Sequence, residues 1–126
     1  MSIKNNNIKI KAISHFIENR SSPKNSIFLF SYDVVIINGN DFEVQLLSRY
    51  WHIRDGDGNV EEVRGPGVVG LQPLIKPNER FEYSSFCPLK TPFGAMSGNF
   101  QMKTSLEESF EATIPLFALN ANEYLD

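Results

Sequence analysis

An alternation of apolar and polar residues with period two constrains this chain more than any other feature. In residues 28–38, FLFSYDVVIIN, the apolar Phe28, Phe30, Tyr32, Val34 and Ile36 fall on every second position, with Ser31 and Asp33 between them. Successive side chains of a strand point to opposite faces, so such a stretch gives one face to a core and the other to water. Residues 8–17, IKIKAISHFI, repeat the pattern with Ile8, Ile10, Ala12, Ser14 and Phe16 on one side. Further strand-like stretches span 43–55, 60–64, 80–87, 95–104 and 109–119, which brings the total to seven. No stretch long enough for a helix carries a 3.6-residue period behind a capping residue. Turn-forming clusters, Ser-Ser-Pro, Asn-Gly-Asn, Asp-Gly-Asp-Gly-Asn and Pro-Asn-Glu, interrupt the pattern at short intervals. Seven short strands punctuated in this way predict an all-β, seven-stranded β-sandwich of the immunoglobulin or fibronectin type III-like kind, with a closed barrel as the alternative.

Without an internal repeat, low-complexity tract or linker, residues 1–126 are expected to form one domain. A chain of that length buries roughly two thirds of the surface its unfolded form exposes, enough for a core. Twelve Lys and Arg are spread thinly and offset by fifteen Asp and Glu, for a net charge of -3. That balance lacks the broad basic footprint of nucleic-acid binding, so no nucleic-acid partner is expected. The opening MSIKNNNIKIK lacks the apolar stretch of a secretion signal, and no apolar run reaches the roughly 18 residues needed to cross a bilayer. A cytoplasmic protein without membrane insertion is the expectation. The lone Cys87 suits a reducing compartment, and between Phe86, Pro88 and Leu89 it reads as a buried thiol rather than a nucleophile.

RGPGVVG, residues 64–70, carries the G-x-G-x-x-G spacing at Gly65, Gly67 and Gly70. In a dinucleotide-binding fold that spacing opens a helix whose free amides hold a pyrophosphate. Here Pro73 and Pro77 follow, and proline removes backbone donors and clashes with preceding carbonyls, so no helix should start. Two readings remain for the 65–80 connection. In the first, Val68, Val69, Leu71, Leu74 and Ile75 pack back onto the domain while the glycines supply positive φ. In the second, amides around Gly65, Gly67, Val68 and Gly70, helped by the charge of Arg64, form a nest for a phosphate-bearing small molecule such as pyrophosphate or a nucleotide. Pro66 works against the second, because it carries no N–H.

DGDGN at 55–59 has the spacing that opens a calcium loop, but Val60 stands where that loop needs Gly and Pro66 where it needs Glu. A hairpin turn is expected instead; if Asp55 lies opposite Val60, then Arg54 faces Glu61 and Trp51 faces Arg64, a register open to a shift of one residue. His15, His52 and Cys87 have no metal-ligand spacing, so neither a metal nor another cofactor is expected. No G-x-S-x-G elbow is present, and the adjacent Glu61 and Glu62 must point to opposite faces of a strand, which argues against an enzyme. Arg49 and Trp51 belong to the residue types that dominate interface hot spots and are candidate partner-binding residues, although a Trp on the third strand of a sandwich is also a common core residue.

The stretch VQLLSRYWHIRDGDGNVEEVRGPGVVGLQPLIKPNERFEYSSFCPLKTPFGAMSGNFQM, residues 44–102, closely resembles the ApaG family of small bacterial proteins. VEEVRGPGVVG, with LLSRYW before it and FEY and GAMSGNFQM after it, carries the resemblance. The resemblance implies a fibronectin-type β-sandwich, the same architecture that the strand count predicts. It also implies a link, by association and through no agreed biochemical activity, to cobalt resistance and magnesium efflux. Similar domains fused to a eukaryotic F-box protein and a polymerase-associated protein look like interaction modules. A non-catalytic binding module with a protein partner, acting on cations indirectly, is therefore the expected function. A binding protein for a phosphate-bearing compound is the alternative.

Overall fold

The structure is a computed structural model that describes residues 3–4 and 7–121. In chain order its strands are β1 (Ile3–Lys4), β2 (Ile8–Phe16), β3 (Phe28–Asn38), β4 (Val44–Asp55), β5 (Val60–Pro66), β6 (Leu74–Ile75), β7 (Arg80–Leu89), β8 (Phe93–Thr104) and β9 (Ser109–Asn120). One sheet has the order β2-β3-β7, the other β1-β9-β8-β4-β5, with β6 also paired to β4. All pairings are antiparallel except that of β1 with β9. The seven expected strands are all present. The two additional ones, β1 and β6, have two residues each, too few to show a period.

Alternation decides what fills the space between the sheets. β3 buries Phe28, Phe30, Tyr32, Val34 and Ile36, and from the facing sheet Leu46, Trp51, Phe100, Met102 and Ile114 meet them. Trp51 stands edge-on to Tyr32 at 5.3 Å between ring centroids, to Phe117 at 5.9 Å and to Phe100 at 6.4 Å. Pairs with this geometry contribute about 0.5–1.5 kcal/mol each beyond the area they bury. Asn38, at the end of β3, is fully buried yet polar. Its amide donates to the carbonyls of Phe42 and Ile75 at 2.9 Å each, and its carbonyl oxygen accepts the Asn40 N–H at 3.0 Å. Satisfied in this way, Asn38 ties the β3–β4 crossover to β6 without the penalty of an unpaired buried amide.

The β4–β5 hairpin takes the register one residue from that with Asp55 opposite Val60. Arg54 lies opposite Val60, Ile53 opposite Glu61, Trp51 opposite Val63 and Tyr50 opposite Arg64. The cause is the turn: the Asp55 N–H donates to the Asn59 carbonyl, and the Asp55 carboxylate accepts the amides of Asp57 and Asn59 at 2.9 Å each. These bonds set Asn59, not Val60, across from Asp55. The anticipated Arg54–Glu61 cross-strand pair does not arise; Arg64 instead pairs along its own strand with Glu62 at 3.3 Å.

The two flanks of the sandwich are unequal. On one, β2 lies against β9, and the Ser14 hydroxyl donates to the Ala118 carbonyl at 2.7 Å. On the other, β5 and β7, the outermost strands of their sheets, stand on either side of an open cleft.

Candidate functional site

The glycine stretch is an ordered hairpin, not the extended loop anticipated. β5 continues through Gly65 to Pro66. Val68 and Leu71 then exchange both backbone hydrogen bonds, at 2.8 and 2.9 Å. Val69 and Gly70 between them have φ of 43° and 82°, and positive φ at both central residues of a two-residue connection is the mark of a type I′ turn. Val68, fully buried, anchors the hairpin in the core, and β6 follows to pair with β4. The packed-back reading of Val68 and Ile75 therefore describes this segment, while Val69, Leu71 and Leu74 remain exposed.

Two of the amides proposed for an anion nest, those of Gly67 and Val68, already have partners within the fold. The Gly67 N–H donates to the Leu47 carbonyl at 2.8 Å and the Val68 N–H to Leu71, so both amides are engaged within the fold. Gly67 has φ of 61°, and a Cβ there would sit 2.2 Å from the Leu71 carbonyl oxygen. Arg64 lies on the outer face of its sheet, its guanidinium 4.5 Å from the centre of the Tyr50 ring. Arg49, an odd-numbered neighbour of Trp51 on β4, faces the other way. Its Nη1 donates to the carbonyls of Pro66 and Gly67 at 3.0 Å each, and the guanidinium lies where a side chain on Gly65 would be, 3.0 Å from the position of a Cβ. Arg49 thus holds the hairpin down by its carbonyls, and Gly65 is the residue that leaves room for it.

Trp51 is 2% exposed and packs between the sheets. This corrects its candidacy as a surface anchor: its side of β4 faces the core, and only the cleft gives access to it. The cleft has two parts that share Tyr32, Arg49, Trp51 and Ser85. The larger, about 790 Å³, runs from those residues to the 55–59 turn between Glu61 and Val63 of β5 and Phe86 and Pro88 of β7. The smaller, about 360 Å³, lies beneath the 66–70 hairpin. Three large apolar side chains on the rim of the larger part face water, Phe86 at 58% exposure and Ile27 and Val60 at 45% each. Strand order brings them together, and no local motif marks them.

Cys87 is 3% exposed, as its neighbours suggested, and burial, with a smaller contribution from the Glu61 carboxylate, pushes its thiol up to about 12. At neutral pH it is a thiol and not a nucleophilic thiolate. His15 bonds Asp33 at 2.9 Å on the outer face of one sheet, while His52 sits on the outer face of the other. A sandwich about 10 Å thick separates them. Among the described residues no three of His, Cys, Asp and Glu gather as a metal would need, and no helix is long and apolar enough to cross a membrane.

Sheets of order β2-β3-β7 and β5-β4-β8-β9, packed face to face over one aromatic core, define a fibronectin type III-like β-sandwich, here with one flank open. Its relatives narrow the class. The ApaG domain family matches residues 18–104, and the chain belongs to the ApaG family. Protein ApaG of Mesorhizobium japonicum is 47% identical over 114 residues, covering 90% of this chain and 88% of the relative. Protein ApaG of Methylobacterium radiotolerans is 50% identical with the same coverage. Among solved structures, a Bordetella pertussis protein named ApaA superposes with a TM-score of 0.88 at 40% identity, covering 90% of this chain and 92% of that one. A segment amounting to 12% of Bacteroides uniformis beta-glucuronidase 2 matches with a TM-score of 0.53 at 12% identity, a likeness of fold alone.

Proposed function

We propose that this chain is a non-catalytic interaction module whose protein partner docks on the open flank between β5 and β7. The observation that supports this is the clustering of Phe86, Ile27 and Val60, all exposed, on the rim of one cleft. Single exposed apolar residues are ordinary on a soluble protein, but a contiguous set rimmed by polar groups marks an interaction surface. Asp55, Asn59, Glu61 and Lys90 supply that rim. Two strand edges beside it, unpaired among the described residues, add main-chain donors and acceptors for an extended segment of the partner. In this reading the cation phenotypes that the family resemblance implies run through the partner, not through a metal on this chain. The test is affinity capture with the wild-type chain, Phe86→Asp and, as a remote control, Leu106→Asp. Stoichiometric capture of one protein by the wild type and the control, lost in Phe86→Asp, is expected. Equal capture by all three would overturn the docking site.

A further inference from the structure

Among the described residues β5 ends its sheet, with β4 on one side and no strand on the other. Which of its main-chain groups face the open side follows from its bonds to β4. The Asp55 N–H donates to the Asn59 carbonyl and the Gly67 N–H to the Leu47 carbonyl, and between these two bonds the β4–β5 register runs without interruption. Hydrogen-bonded and non-hydrogen-bonded pairs alternate along an antiparallel ladder, so the odd-numbered residues of β5 bond to β4. Val60, Glu62 and Arg64 therefore turn both N–H and C=O to the open edge, and Pro66 turns its carbonyl alone. Such an edge is a template for another chain unless its side chains prevent pairing.

The side chains of β5 match those of a second β5 laid antiparallel to it about a two-fold axis through Val63. On the outer face this register sets Glu62 opposite Arg64 of the second copy, and Arg64 opposite its Glu62. The bonds Glu62 makes within its own chain, from the Tyr50 hydroxyl at 3.1 Å and Arg64 at 3.3 Å, both end on Oε2, which leaves Oε1 to accept from the other copy. On the inner face the same register sets Glu61 of the second copy across from Gly65. There Arg49 Nη1 and Nη2 lie 3.0 and 3.1 Å from where a Gly65 Cβ would be, and Nη1 alone is committed to the Pro66 and Gly67 carbonyls. Glu61, exposed in the single chain, thus meets a guanidinium with donors on Nε and Nη2 to spare. A two-fold axis through Glu62 or through Arg64 would instead set like charges face to face, which destabilises a cross-strand pair.

We propose that the occupant of the β5 edge is a second copy of this chain, and that the protein forms a symmetric dimer whose two larger sheets join through β5. Glu62 exchanges both main-chain bonds with Arg64 of the second copy, and the Val60 N–H donates to its Pro66 carbonyl, on the lone pair that Arg49 leaves. An interface that uses the same surface twice closes at two copies. The β7 edge and Phe86 stay open to the protein proposed above, and the dimer is tested with no other protein present.

Sedimentation equilibrium of the full chain, over a series of loading concentrations, should show monomer and dimer in exchange. Glu62→Arg sets Arg against Arg64 on both sides of the axis and should raise the dissociation constant at least about tenfold. Adding Arg64→Glu to it recreates the opposite-charge pairs in reverse and should restore the dimer to within about threefold of the wild type. Val63→Cys reads the register. Residues facing each other in a non-hydrogen-bonded pair have Cα atoms about 4.5 Å apart, within the range a disulfide spans, so mild oxidation should link two copies at residue 63. Cys87, buried at 3% exposure, does not compete for that bond. A monomer at every loading, or assemblies larger than two, would overturn the proposal. So would a dimer that Glu62→Arg leaves intact, that the double reversal fails to restore, or that Val63→Cys does not cross-link.

Discussion

Arg49 offers the sharpest test of how the site is built. Removing its side chain in Arg49→Ala deletes two bonds at 3.0 Å, to the carbonyls of Pro66 and Gly67, and the cover over Gly65. A hydrogen bond from a charged donor contributes about 1.5–3 kcal/mol net, but water can replace it where the acceptor is accessible. The Pro66 bond is exposed and the Gly67 bond part-buried, so we take the lower end for the second and less for the first. The sum is about 2 kcal/mol, which for a chain of this size corresponds to a fall of roughly 8 °C in Tm. Arg49→Lys retains one donor that can reach a carbonyl and should lose about half as much. Thermal unfolding followed through Trp51 fluorescence measures the change, and amide spectra show whether residues 66–71 move with it. A loss below about 0.5 kcal/mol, within the usual range of an inconsequential surface change, with those amides unmoved, would refute the role of Arg49 in holding the hairpin.

Three other outcomes are expected. Cys87, buried and pushed up to about 12, should react with a thiol reagent far more slowly in the native than in the unfolded chain, as absorbance-monitored labelling would show. Because its proton is held more tightly in the folded state, its contribution to stability is complete below the unfolded pKa of about 8.5 and is lost as pH rises through about 12. Val69 is β-branched and holds φ of 43°, a conformation that Asn tolerates better; Val69→Asn should raise stability by about 1 kcal/mol in denaturant unfolding, whereas Gly67→Ala should lower it by more, since its Cβ meets the Leu71 carbonyl. The Asp33 carboxyl is held below its usual range by hydrogen bonds from Ser84 and His15, so the stability it adds is present above about pH 3.9 and is lost as pH falls through its lower folded value. Asp33→Asn should flatten that part of the acid limb of the stability profile.

Much of the scaffold was legible because a strand with one buried face writes its period into the sequence, as Phe28 to Ile36 do. What escaped depends on contacts between distant residues. β6 has two residues and exists because Val44 and Gln45 of β4 pair with it, and Asn38 reaches it from 37 positions away. The hairpin register shifted by one because the Asp55 side chain captured two amides of its own turn, a choice the Asp-Gly-Asp-Gly-Asn composition permits without dictating. The glycine stretch showed its need for positive φ at Gly67 and Gly70, but Val69 sharing that conformation could not be foreseen from a residue type that avoids it. Arg64 adjoins the glycines in sequence, but alternation turns it outward and hands the contact to Arg49, 17 residues before Pro66. The cleft itself belongs to strand order: β5 and β7 face each other only because each ends its sheet.

Once a partner has been captured, titrating the unlabelled partner into the 15N-labelled chain and following every backbone amide distinguishes one flank of the sandwich from the other. Docking on the open side predicts shifts concentrated in Val60–Pro66 of β5 and Arg80–Leu89 of β7, largest around Phe86, with β2 and β9 unmoved. Shifts centred on β2 and β9, where Ser14 already ties the sheets together, would contradict it.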